Sequence, residues 1–358
     1  MSFPFLQPYA GLSNSLQTAQ AAGGPGGAVG GWVELARTTL GSSGSSIDVT
    51  SLPDKRYYMV LTDVQSSGIT NIRMRNNGDS GNNYASRWCD NGGTDSTIGS
   101  FNNMVCHNQN VTVPQFMVSY GSNRSSSEKL WIHKIGIQNT AGAGNAPLRG
   151  ESVSKHAQTT NPIDQITIFE GESGSFDTNS ECVVLAYDPD DNHTSNFWEE
   201  LASVTASGSS SNMEASITSK KYIWVQAYMS NSALSKTQMV VGNGTVDTSA
   251  NYASRYSNNG GSDSTQTNLG TMKLNGNQNQ AANVGRFVNV FIINNSSNEK
   301  LAISNYVFQN TAGAGNAPSR VEGVHKWANT SNQIDKIQIT TPDGNINSDG
   351  IMKVWGAD

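Results

Sequence analysis

Gln138-Asn-Thr-Ala-Gly-Ala-Gly-Asn-Ala-Pro147 occurs a second time, letter for letter, as Gln309 to Pro318. Working outward from this string, the duplication covers most of the chain. Glu128-Lys-Leu130 returns as Glu299-Lys-Leu301. Asn83-Tyr-Ala-Ser-Arg87 returns intact as Asn251 to Arg255, each copy followed by a Gly-Gly turn. Lys55-Arg-Tyr57 matches Lys220-Lys-Tyr222, Trp32-Val-Glu-Leu-Ala36 matches Trp198-Glu-Glu-Leu-Ala202, and Ile163-Asp164 matches Ile334-Asp335. Tyr187 is read as the counterpart of Trp355. The offset moves from 166 residues at Trp32/Trp198 to 171 at Gln138/Gln309 and 168 at Tyr187/Trp355, so short insertions separate anchored elements. Solenoid units run roughly 20–50 residues, so this period is too long for one. It suits whole domains. Two are expected, 32–190 and 196–358, each able to bury about two thirds of its unfolded surface.

Only 14% of the 358 residues are charged, and 36 are Gly. Polarity comes from Ser, Asn and Thr, which favour turns and local hydrogen bonds over helix interiors. Net charge is −6 and the pI about 5.4. That balance argues against nucleic acid as a partner, because binding there is driven by Lys and Arg on phosphate. It also disfavours an anionic membrane surface. No run of 18 apolar residues exists to span a bilayer as a helix, and the first residues lack the basic start of a secretory signal. Cys89, Cys106 and Cys182 have no counterparts in the second repeat. They form neither a disulfide framework nor a zinc site.

Within each repeat, short apolar runs alternate with Gly, Asn, Asp and Ser clusters. Tyr57 to Leu61, Ile72 to Arg75, Phe116 to Tyr120, Leu130 to Ile137, Ile163 to Ile168 and Val183 to Tyr187 read as strands, with partners such as Tyr222 to Tyr228, Phe287 to Ile293 and Ile351 to Trp355. Seven to nine strands per unit predict an all-β fold of tandem, duplicated antiparallel β-sandwich domains. Residues 1–31 stand apart. They carry no charge and place Phe3, Phe5, Leu6, Tyr9, Leu12 and Leu16 ahead of a Gly-rich linker. Such a segment reads as an N-terminal docking arm, since disordered tails are usually charged and poor in aromatics.

Catalytic signals are weak. Gly142-Ala-Gly144 and Gly313-Ala-Gly315 lack the third glycine and the βαβ setting of a dinucleotide site. No cofactor is expected. The five histidines do not recur at matched positions, and no Gly-x-Ser-x-Gly or His-Glu-x-x-His run occurs. The matched acids Glu34/Glu200, Glu128/Glu299, Glu151/Glu322 and Asp164/Asp335 suggest a glycosidase pair, but nearby Lys and Arg favour structural ion pairs. No catalytic residue is assigned. Metal binding stays open: Asp90 to Asp95, Ser257 to Asp263 and the Asp188, Asp190, Asp191 cluster are oxygen-rich without the spacing of a calcium loop. A glycan platform is suggested by Tyr84, Arg87 and Trp88 with Tyr252, Arg255 and Tyr256, because sugars stack on aromatic rings while arginine bonds hydroxyls. The alternative for the NYASR stretch is a packed strand with its arginine stem over apolar surface.

The order Trp-x-Glu-Leu-Ala, Lys-Lys/Arg-Tyr, Asn-Tyr-Ala-Ser-Arg with its Gly-Gly turn, and a closing apolar strand before Asp resembles virion structural proteins of tailed bacteriophages. It is most similar to the jelly-roll modules of head-decoration, tail-fibre and receptor-binding proteins. The resemblance spans both repeats and implies a non-enzymatic capsid or tail component located in the virion. It also implies jelly-roll-like domains and attachment through residues 1–31 to other virion proteins. It transfers no functional residues. A homo-oligomer is expected, and a host-surface glycan is the partner under the alternative, lectin-like reading.

Overall fold

The computed structural model describes residues 31–66, 68, 70–191, 195–311 and 313–358. The proposed docking arm, with Phe3, Phe5, Leu6, Tyr9, Leu12 and Leu16, lies outside these residues apart from Gly31.

The first half holds β1 (Val33–Thr39), β2 (Ser46–Val49), β3 (Tyr57–Val64), β4 (Ile72–Asn76), β5 (Tyr84–Asp90), β6 (Ser96–Phe101), β7 (Met104–Val105), β8 (Gln115–Ser122), β9 (Lys129–Ile137), β10 (Leu148–His156), β11 (Ile166–Glu170) and β12 (Glu181–Tyr187). The second holds β13 (Glu199–Thr205), β14 (Asn212–Ser216), β15 (Tyr222–Met229), β16 (Gln238–Asn243), β17 (Thr245–Val246), β18 (Tyr252–Asn258), β19 (Ser264–Leu269), β20 (Arg286–Ile293), β21 (Lys300–Phe308), β22 (Ser319–Trp327), β23 (Lys336–Thr340) and β24 (Ile351–Ala357). Each half forms an eight-stranded and a four-stranded sheet. The first pair is ordered β1-β12-β3-β8-β9-β10-β5-β6 and β2-β11-β4-β7. The second large sheet repeats that order with its own strands, whereas the second small sheet runs β14-β23-β16-β17, with β17 a hairpin partner of β16 and Met272, the counterpart of Met104 on β7, making only an isolated bridge to Met239. All named pairs are antiparallel.

The period of two explains the layers. On β3, Tyr58, Val60 and Val64 point inward and pack with Ile47, Met74 and Ile168 of the small sheet. The alternate residues Met59 and Leu61 point the other way, yet they are buried too. They belong to a third cluster, with Phe116, Val118, Val183 and Leu185 from the first half and Tyr222, Phe291, Leu301, Ile303 and Val324 from the second. The outer faces of the two large sheets therefore meet, giving the layer order small, large, large, small.

Strand pairing corrects one sequence equivalence. Asp188 bonds the Arg56 backbone N–H as Asp358 bonds that of Lys221. Tyr57 pairs with Tyr187, whereas Tyr222 pairs with Ala357. Leu185, rather than Tyr187, is thus the counterpart of Trp355. A shift of two residues preserves the alternation, so the apolar pattern alone does not expose it.

Candidate functional site

The duplicated motifs converge on one kind of surface. In Asn83-Tyr-Ala-Ser-Arg87, alternation sends Tyr84 and Ser86 inward and Arg87 outward. Tyr84 is buried, its hydroxyl donates to the Asp79 carbonyl at 3.0 Å, and its ring stacks on His156 at 4.4 Å. Tyr252 does the same with the Asp247 carbonyl at 2.8 Å. Trp327 stands where His156 does and donates its indole N–H to Asp247, as His156 contacts Asp79. Tyr256 also lies in the core. The glycan platform is corrected accordingly: Tyr84, Tyr252 and Tyr256 expose no ring face, because each lies on the core side of its strand. Arg87 stays exposed and Trp88 half-buried.

The two arginines have different fates. In the second half, Arg255 donates from Nε to the Pro147 carbonyl at 2.8 Å. Asp263, which has only 1% side-chain exposure, takes a 2.6 Å ion pair from Arg149 of the first half. Burial opposes the charge of Arg149, but Asp263 and Glu151 hold its pKa above the ordinary arginine value. Lys326 is buried, pairs with Glu299 at 3.0 Å and donates to the Thr140 carbonyl at 2.8 Å. Its pKa is lowered by burial, against the pull of Glu299. The Gly142 N–H donates to Glu299, and the Asn268 N–H to the Ala143 carbonyl at 2.8 Å. The loop Gln138–Pro147 is therefore inserted into a charged cradle on the second half. The identical loop Gln309–Pro318 is exposed at Thr311 and from Gly313 to Pro318.

The cradle has a twin on the first half. Arg87 and Asp95 pair at 3.3 Å with side chains 58% and 51% exposed. Lys155 and Glu128 pair at 2.9 Å, also exposed. Beside them Leu130, Ile132 and Val153 are 57%, 49% and 49% exposed, while their counterparts Leu301, Ile303 and Val324 are 1%, 4% and 1% exposed. An open groove of 540 Å³ runs along this twin, between Arg87, Ile98, Ile132, Val153 and Lys155.

The matched acids serve this architecture. Glu34 pairs with Arg37, Glu200 with Lys353, Glu151 with Lys134 and Arg149, and Glu322 with Arg320. Asp335 accepts the Gly244 N–H, and the Asp164 carbonyl accepts the Leu52 N–H. Asp188, Asp190 and Asp191 face Arg56 and Lys55. Among the described residues no group of three or more His, Cys, Asp or Glu is placed to hold a metal ion. His107, His133 and His325 are buried in the cores, which lowers each pKa to about 3 and keeps the rings neutral. Cys106 and Cys182 are buried free thiols, pushed up to about 12 by burial, and Cys89 is free and half-buried. The described residues assemble no catalytic group.

Sequence reasoning gave the Gly-rich loop no role once a dinucleotide site was set aside, and kept Asp263 only as a metal candidate. The available signal was coincidence: the loop was unchanged while Arg149, Arg255, Asp263, Glu299 and Lys326 all had same-type partners.

No protein-family model matches the chain, and no curated protein matches it. Solved structures give distant likenesses. Domains LG4-5 of the mouse laminin alpha1 chain share 10% identity over 92% of this chain and 88% of that one, with a TM-score of 0.19. Neisserial surface protein A shares 8% identity over 79% and 96%, with a TM-score of 0.12. PNGF-II shares 9% over 87% and 59%, with a TM-score of 0.15. Scores this low carry no fold or function to the chain.

Proposed function

We propose that this chain is a non-catalytic structural protein of a virion, a capsid-decoration or tail and adsorption subunit. In this reading, residues 1–31 attach it to other virion proteins, and units 32–190 and 196–358 are displayed as jelly-roll-like sandwiches. One observation carries it: the duplicated charged and apolar residues serve sheet-on-sheet docking, while the stack retains bare apolar faces of the kind that mark interaction sites. The uncharged, aromatic N-terminal sequence supports the attachment role, and the resemblance to phage jelly-roll modules supports the particle. Deletion of Met1 to Ala22 is expected to abolish incorporation into the particle while the β circular-dichroism spectrum and melting temperature stay unchanged. Normal incorporation of the truncated chain overturns the arm. Absence of the full chain from purified particles overturns the structural role.

A second reading is recognition of a host-surface glycan, favoured by the open groove with Arg87 at its edge and Trp88 adjacent in sequence. It expects Arg87→Ala with Trp88→Ala to lower signal on a glycan array at unchanged melting temperature. A blank array for the intact chain removes it.

A further inference from the structure

We infer that this chain associates head to tail with further copies of itself, the second half of one copy docking on the first half of the next. The contacts are those that already join its own two halves. The inference rests on the structural reading above and deepens it by naming one neighbour as a second copy of this chain.

The internal seam has an accepting side and an inserted side. On the accepting side, Arg255, Asp263, Glu299 and Lys326 hold the first half's loop. Their counterparts Arg87, Asp95, Glu128 and Lys155 are the same residue types and, among the described residues, pair with one another on an exposed surface. The apolar floor repeats as well: Leu301, Ile303 and Val324 correspond to Leu130, Ile132 and Val153. On the inserted side, Phe116 and Arg149 correspond to Phe287 and Arg320, and the ten-residue loop is unchanged. Arg320 is held by Glu322 as Arg149 is by Glu151, so the guanidinium is already set for a second acid. Identity at these positions, in halves that differ at many others, is what two uses of one docking event require.

The exposed apolar side chains fall where this predicts. Ile351, Tyr228, Phe287 and Val307 form one row of paired residues across β24, β15, β20 and β21, ending at Arg320 on β22. All four apolar members are exposed. The same row in the first half is Glu181, Asp63, Phe116, Gly136 and Arg149. There it is covered by the second half: Lys221 pairs with Glu181 at 3.0 Å and Asp63 at 3.4 Å, and Asn295 donates to Asp63 at 2.8 Å. Where the internal seam is ionic, the outer row presents Ile351 and Tyr228, and the opposite surface presents exposed Tyr57 in place of Tyr222. The chain-to-chain seam is thus a more apolar version of the internal one. Because its two sides are different surfaces, the contact is heterologous, and its repetition closes a ring or extends a filament.

The test is light scattering with size exclusion on the full chain. The wild-type chain is expected to be multimeric at about 100 µM, within reach of an interface of ordinary size. Arg320→Glu and Asp95→Arg each put like charges in the seam and are expected to weaken association about a hundredfold. Both residues are exposed, so at a dilution where the wild-type chain is monomeric each variant should keep its melting temperature. Mixing the two variants restores both ion pairs and should restore the multimer. Ile132→Asp should also give monomers. A monomeric wild-type chain, charge variants that assemble like wild type, or a mixture that stays monomeric would each overturn the inference. A monomeric chain that is nevertheless found in purified particles would sink self-association alone and leave the structural role standing.

Discussion

Gly92 lies at φ +68°, and a Cβ there would collide with the carboxylate of Asp263. One glycine thus keeps open the approach of the two halves around the Arg149–Asp263 pair. Its counterpart Gly260 has φ +74° but meets only the flexible end of Arg320, at 3.0 Å. The left-handed backbone alone costs an L-residue about 1–2 kcal/mol. Gly260→Ala should show that cost alone, whereas Gly92→Ala should exceed it by about 1–2 kcal/mol through displacement of a buried ion pair. Equal urea midpoints for the two variants would show that Asp263 does not bear on the seam. At this scale the sequence displayed the Asn-Gly-Gly turns but not their difference, because both copies read alike and only one has a neighbour above it.

At the scale of elements, the loop Gln138–Pro147 is a β9–β10 connection that acts as an inserted peg. Its Gly142 N–H and Ala143 carbonyl meet Glu299 and the Asn268 N–H. Excising Ala141 to Gly144 should destabilise the chain by about 2 kcal/mol, chiefly because buried Glu299 loses its bond. Excising Ala312 to Gly315 from the duplicate should leave the melting temperature of the monomer unchanged. Parallel thermal melts decide the matter, and equal losses would contradict the asymmetry. Apolar strands such as β3, β9 and β21 were legible as runs of β-branched and aromatic residues. Polar β6, β10, β19 and β22 were not, because polar and charged residues make up half or more of each and pairing with neighbours, rather than an apolar stripe, makes them strands. The core histidine shows the same limit. His133 bonds Ser119 in the first half, whereas in the second Ser304 stands at its position and bonds His325 from the next strand. The polar pair is kept but moved over by one strand, which position-by-position matching does not register.

Across the whole molecule, His107, His133 and His325 carry folded-state pKa values of about 3 because burial disfavours the charged ring. The unfolded value is about 6.5, so below it the unfolded state binds more protons. Stability is therefore fully present above pH 6.5 and is lost as pH falls towards 3, by about 1.4 kcal/mol per pH unit for each histidine. Between pH 6.5 and about 5 the exposed carboxylates remain charged, so the buried histidines give a falling slope there, opposed by buried Asp63 and Asp90, whose pKa values burial raises. Urea midpoints should fall steeply across that window, and His325→Gln should flatten the slope. A flat profile would mean that the rings are solvated.

The amino-acid sequence by itself determined that the chain is built twice and that each copy is made of antiparallel strands. Local periodicity and turn chemistry are properties of neighbours along the chain, so they can be read in one dimension. Only the tertiary structure decided that the two large sheets lie face to face, that one of two identical loops is seated while the other is exposed at Thr311 and from Gly313 to Pro318, and that Tyr84 and Tyr252 belong to the interior. Those outcomes depend on which face of a sheet another half of the molecule covers, and identical segments carry no mark of the difference.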